Sequence, residues 1–258
     1  MTGALEAHLR ARRGAGAKLL VPYVTGGLGE RWTEVLAAMA AAGADAVEIG
    51  IPFSDPVMDG PTIQEASQRA LDLGTTPAAV LAAVPADVPV PLVVMTYYNI
   101  VYRAGHERFA GSLRRAGVVG AIVPDVPLEE LGPWAAAAAG EDVETVLLAS
   151  PVTPDDRLAR LCERSRGFVY GVSVMGITGE RRSLAASGAV LAKRLKAHTD
   201  KPVLLGFGVS TPDHAVEASA EADGVIVASA LMRRLLDGAS PDEIGDVVAG
   251  FRAALDRG

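Results

Sequence analysis

The chain has 258 residues, half of them hydrophobic but only 5% aromatic, with 24 basic against 31 acidic side chains and a formal charge of −7. That balance gives no electrostatic reason to bind nucleic acid, whose phosphates reward clustered Lys and Arg. The longest apolar stretches, such as 134–139, fall far short of a membrane span, the polar start MTGALEAHLRARRG has no apolar signal core, and the one cysteine, Cys162, excludes an internal disulfide framework, so a cytoplasmic location is expected.

In chain order, short apolar runs rich in β-formers recur at 19–24, 46–51, 92–95, 121–123, 145–148, 168–172, 203–205 and 225–227. Between them lie segments of helical periodicity at 32–42, 62–73, 77–84, 107–116, 129–139, 154–163, 183–197 and 212–220, with a short helix expected over about 229–236. Most strand starts are spaced as one strand, one helix and two short loops require, and the long gap from 51 to 92 holds two helices. No linker or low-complexity tract breaks the series. The expectation is an α/β chain forming one domain over residues 1–258, a (β/α)8 or TIM barrel, with its active site at the carboxyl ends of the strands. An open doubly wound sheet is the alternative. The first βα turn, TGGLGE at 25–30, lacks the G-x-G-x-x-G order of a dinucleotide-binding version.

The most informative stretch is VEIGIPFSDPVMDGPTIQ at 47–64. Val47, Ile49 and Ile51 read as a buried parallel strand, in which Glu48 is costly unless it does chemistry. Gly50, Pro52, Pro56, Gly60 and Pro61 then shape a loop carrying Asp59, and Thr62 is placed to cap the next helix. The late loops, GITG at 176–179, GFGVS at 206–210 and Ala228-Ser229-Ala230, suggest a phosphate site made of backbone N–H groups, the Ser229 hydroxyl and the positive end of a short helix. His8, His106, His198 and His214 share no ligand spacing with a cysteine or carboxylate, so no metal site is expected. Lys18, Lys193, Lys196 and Lys201 lie at strand starts or on helices, which disfavours Schiff-base chemistry. Cys162 reads as a small core residue. Glu48, Asp59, Asp125 and Tyr170 remain as an acid/base set without cofactor, with Asp125, in VPDVP, read first as a loop-capping carboxylate.

These residues resemble the tryptophan synthase alpha subunit family, whose motif E-x-G-x-P-x-S-D-P-x-x-D-G-P is present at 48–61. The resemblance extends through PYVTGG at 22–27, VMTYYN at 94–99, VPDVPLEE at 123–130, GITG and GFGVS. It implies a TIM barrel that cleaves indole-3-glycerol phosphate into indole and glyceraldehyde 3-phosphate by a retro-aldol reaction. It also implies a beta subunit partner carrying pyridoxal phosphate (PLP), usually in an α2β2 assembly, with no cofactor in this chain. By the same resemblance Glu48 and Asp59 are catalytic, and Tyr23, Tyr97, Tyr170 and Thr178 line the substrate. Gly179, Phe207, Gly208, Ala228 and Ser229 hold the phosphate, and Pro52 and Asp55 face the partner.

Two positions depart from the family pattern. Ala228 stands where glycine usually precedes the serine, which matters if that position needs a positive φ, and Ile100 stands where proline usually follows VMTYYN. Two other roles fit the same residues: a stand-alone lyase that releases indole for a specialised pathway, or a mainly allosteric binding partner of a beta subunit. A strand-embedded Glu48 argues against the last.

Overall fold

The computed structural model describes residues 2–172, 181–206 and 208–258, without the side chains of 181–186. The elements run α1 (Ala4–Gly14), β1 (Leu19–Thr25), α2 (Trp32–Ala41), β2 (Val47–Gly50), α3 (Pro61–Asp72), α4 (Pro77–Ala83) and β3 (Leu92–Met95). They continue with α5 (Tyr98–Ala104), α6 (His106–Arg115), β4 (Val118–Ile122), α7 (Leu131–Gly140), β5 (Glu144–Ala149), α8 (Asp155–Arg164) and β6 (Val169–Val172). The last are α9 (Arg181–Lys196), β7 (Val203–Gly206), α10 (Pro212–Ser219), β8 (Gly224–Val227), α11 (Ser229–Leu236) and α12 (Pro241–Leu255).

All eight strands pair in parallel with their sequence neighbours, and β8 returns to pair with β1, so the sheet closes as the expected (β/α)8 barrel. Every residue of β1, β2 and β8 is buried, because helices cover the outside and side chains fill the inside. Inside the barrel, Leu19, Val21, Ala46, Val93, Ile122, Val146, Phe168, Leu204 and Ile226 form one apolar cluster. Leu5 and Leu9 of α1 join that cluster. The start of α1 is held by Glu144, whose Oε2 accepts from the Leu5 N–H at 2.6 Å. Helix α1 therefore closes the amino-terminal end of the barrel and leaves the other end for the site.

Three helices lie outside the periodic segments: α1, α5 and α12. Helix α12 is fixed by a capping box, with Ser240 and Glu243 each bonding the other's backbone N–H, and it packs against α2. Helix α5 is too short for periodicity to reveal. The start of α3 also corrects the sequence expectation. Thr62 is not its cap; Gly60 is the N-cap residue and Pro61 the first helical residue, since the proline ring presets φ and has no N–H to leave unpaired. Strand β4 begins earlier than its apolar run, at Val118, just after Gly117 turns the chain at φ +75°.

Candidate active site

Glu48 lies in the middle of β2, opposite Tyr23 on β1 and Val93 on β3. It is 1% exposed, and its Oε2 has no hydrogen-bond partner among the described residues. A carboxylate there has exchanged water for little else, so burial, reinforced by the charge of Asp59, pushes its pKa up to about 8. At neutral pH Glu48 in the free site holds a proton.

Asp59 comes from the loop between β2 and α3. The Tyr97 hydroxyl donates to its Oδ2 at 2.9 Å, and the Met58 N–H donates to that hydroxyl at 3.1 Å. Burial pushes Asp59 up to about 6, and the Tyr97 hydrogen bond opposes the rise by favouring the ionised form. The two carboxyl groups are thus held apart in acidity: near pH 7 one is an acid and the other an anion, which is how a single site supplies both functions.

Three tyrosines surround the pair. Tyr23 and Tyr170 are buried, and both phenols are held well above their usual range, first by burial and then by the nearby carboxylates. Both phenols therefore stay protonated at neutral pH. Each has space because the neighbouring strand carries glycine: a β-carbon on Gly50 would overlap the Tyr23 hydroxyl, and one on Gly206 would overlap Tyr170. Gly50 therefore serves the packing of the site as well as the exit from β2. The Thr25 hydroxyl donates to that of Tyr23 at 3.3 Å.

Tyr97 is fixed by a residue the sequence did not single out. Phe53 stacks on it with ring centroids 5.0 Å apart and planes 22° from parallel. Periodicity gives no signal for a lone aromatic in a proline-rich loop. Asp125 is a capping carboxylate, as its setting between prolines indicated: its Oδ1 accepts from the N–H of Tyr98, the first residue of α5, at 2.8 Å. Pro52 is buried at the root of the second loop and Asp55 is exposed, its Oδ2 accepting from Ser54 Oγ at 2.6 Å.

Of the phosphate-site residues, Gly208 lies just beyond β7 at φ +66°, a conformation that favours glycine. Ala228 is the N-cap residue of α11 and Ser229 its first residue. The N–H groups of Leu231 and Met232 both reach Ala228 O at 3.0 Å, while those of Ser229 and Ala230 have no carbonyl one turn earlier to accept them. Ala228 has φ −116°, so its methyl costs no left-handed strain, which removes the concern raised by the missing glycine. Thr178, Gly179 and Phe207 lie outside the described residues.

The family model described as tryptophan synthase alpha chain matches residues 9–249. The chain is 42% identical over 247 residues to the tryptophan synthase alpha chain of Gloeobacter violaceus, covering 93% of this chain and 88% of that one. It is 40% identical over 261 residues to that of Thermobifida fusca, covering 98% and 97%. Among solved structures it is similar to tryptophan synthase of Mycobacterium tuberculosis, with a TM-score of 0.91, 35% identity and 99% of each chain covered. The alpha chain of Legionella pneumophila gives a TM-score of 0.88 at 30% identity, with 100% of this chain and 98% of that chain covered. A strand-borne acid facing a loop-borne carboxylate in a closed (β/α)8 barrel, together with this similarity along the chain, places the protein: it belongs to the tryptophan synthase alpha chain family and is a carbon–carbon lyase for indole-3-glycerol phosphate.

Proposed function

We propose that Glu48 and Asp59 carry the cleavage of indole-3-glycerol phosphate in this chain. The observation that supports the assignment is the geometry: Glu48 is 1% exposed with its Oε2 unpartnered among the described residues, and Asp59 is held by the Tyr97 hydroxyl at 2.9 Å. Burial in these surroundings raises the pKa of both, that of Glu48 further. Glu48, neutral before reaction, gives its proton to the indole ring carbon that bears the glycerol chain, and positive charge develops at the ring nitrogen. Asp59, ionised, accepts a hydrogen bond from that N–H and stabilises the charge. Glu48, now a carboxylate, takes the proton of the adjacent glycerol hydroxyl. The carbon–carbon bond breaks as the hydroxyl carbon becomes the aldehyde of glyceraldehyde 3-phosphate, and the bonding electron pair returns to the ring to give indole. Glu48 ends protonated, as it began.

Tyr23, Tyr97 and Tyr170 wall the indole in this reading, and Tyr97 also positions Asp59. The phosphate is assigned to Gly179, Phe207, Gly208, Ala228 and Ser229, and Thr178 to the substrate. The N–H groups of Ser229 and Ala230, for which no acceptor is found among the described residues, and the glycine at 208 support the phosphate assignment. The second loop, with Asp55 exposed and Pro52 buried at its root, is assigned to a beta subunit that takes up the indole, in an α2β2 assembly. PLP chemistry belongs to that partner, and no step above calls on a cofactor in this chain. The whole chain is taken as one functional unit. Among the described residues no helix is long and apolar enough to cross a membrane, which accords with a cytoplasmic enzyme.

The test is indole release from indole-3-glycerol phosphate by the purified chain and by its Glu48→Gln variant, with and without a beta subunit from the same source. Slow release that the partner accelerates, and that the variant lacks in both conditions, is the expected result. Release by the variant above a few per cent of wild type would remove Glu48 from the mechanism.

A further inference from the structure

Helix α4 ends early. Pro85, Pro89 and Pro91 follow it closely, and its C-cap residue Val84 already has extended backbone at ψ 122°, so the outer ring of helices is incomplete between α4 and α6. The gap is a cavity of about 900 Å³, within the range of small-molecule sites. Its apolar part is formed by Leu81 and Val84 on one side and Ile100 and Phe109 on the other. The α4 wall, from 75 to 86, carries no charged side chain.

The opposite wall carries exposed Arg103, Arg108 and Arg115. None of the three forms an ion pair among the described residues, although acidic residues outnumber basic ones in this chain; Arg115 instead donates to Ser112 Oγ at 2.9 Å. Arg31, Arg157 and Arg233 meet carboxylates within 2.6 to 2.9 Å, whereas exposed Arg166, Arg234 and Arg257 form no ion pair among the described residues, so it is the grouping of three along one wall of an apolar slot that sets the cavity apart. Glu107 and Asp87, the nearest acidic residues in sequence, do not line the cavity. An apolar slot with one uncharged wall and one wall of unpaired guanidinium groups is complementary to a molecule with an apolar body and a carboxylate head.

No residue of the site lines the cavity, and the link between the two is helix α5. Asn99, Ile100 and Arg103 of α5 line the cavity, and α5 begins one residue after Tyr97, whose hydroxyl donates to Asp59.

We propose that this cavity is an effector site for a small amphipathic carboxylate. Its apolar part lies between α4 and α6 and its head on Arg103 and Arg108, and occupancy acts on Asp59 through α5 and Tyr97. The effect on rate rests on the role proposed for Asp59; the binding does not.

The test uses octanoate and its neutral analogue octanamide with the full chain, by titration calorimetry and by indole release. Octanoate should bind one per chain and octanamide at least tenfold more weakly. The Arg103→Gln/Arg108→Gln variant should lose at least tenfold in octanoate affinity, and Leu81→Trp, which fills the slot, should abolish binding, with circular dichroism confirming that both fold. Saturating octanoate should change the rate of indole release at least twofold in the wild type and not in the arginine variant. No binding of octanoate, equal binding of octanamide, or unchanged affinity in both variants would overturn the site. Binding without a rate change, in an enzyme whose Glu48→Gln variant is inactive, would overturn the coupling. Displacement of octanoate by self-association or by a beta subunit would assign this face to a protein interface and overturn the small-molecule reading.

Discussion

The burial of Glu48 makes a quantitative prediction about stability that is separate from catalysis. Its pKa is pushed from 4.5 to about 8 in the folded chain, mainly by loss of water. Folding therefore favours the neutral acid. That contribution is complete below the unfolded value and is lost as pH rises through the folded one, because over that window the folded chain holds a proton the unfolded chain has released. The slope is about 1.4 kcal/mol per pH unit while the difference is one whole proton. Asp59, pushed up to about 6, acts in the same sense but at lower pH, so the window from 6 to 8 belongs chiefly to Glu48. Across it the wild type should lose about 2 kcal/mol of stability relative to Glu48→Gln, which has nothing to ionise at that position. The Gln amide brings its own pH-independent cost for a buried donor, about 1–3 kcal/mol, which shifts the whole curve without tilting it. Urea unfolding of both proteins at pH 6, 7 and 8 measures the tilt. Parallel pH profiles for the two proteins would refute the claim that Glu48 is held neutral by its surroundings.

The same acidities predict a bell-shaped kcat/KM for indole release by the free chain, rising as Asp59 ionises near pH 6 and falling as Glu48 loses its proton near pH 8; constant activity to pH 9 would contradict the assigned roles. Tyr97→Phe removes the hydrogen bond that favours ionised Asp59, so the acidic limb should move to higher pH and kcat/KM at pH 6 should fall severalfold, whereas an unmoved limb would make Tyr97 a wall only. Gly50→Ala would drive a methyl into the Tyr23 hydroxyl, costing about 1–3 kcal/mol and lowering Tm by several degrees in a chain of this size; an unchanged Tm would show that Tyr23 moves freely.

The barrel was legible because its strands are short runs of Val, Ile, Leu and Ala at regular spacing, a pattern that burial on both faces imposes locally. Of the three helices outside the expected segments, α12 was legible, with Ile244, Val248, Phe251 and Leu255 buried at helical spacing after a Ser240/Glu243 capping box, whereas α1 and α5 have reasons other than periodicity. Helix α1 exists to put Leu5 and Leu9 under the barrel, a contact with residues far along the chain. Helix α5 is a short turn after β3, started where Asp125 accepts from its first N–H. The start of α3 was misplaced because Pro61 at the first helical position outweighs the side-chain cap that Thr62 offered.

The sequence by itself pointed to the chemistry proposed above: a carboxylate placed among strand residues, followed by a second in a proline-shaped loop, is the pattern of an acid/base pair. What it left open is how acidic each group is, since acidity depends on what surrounds a side chain and not on what precedes it. Only the closed barrel removes water from Glu48, brings Tyr97 from the end of β3 to Asp59, and sets Tyr23 and Tyr170 over the glycines of neighbouring strands. Desolvation and close contact across strands are properties of the assembled interior, and the spacing along one strand does not contain them.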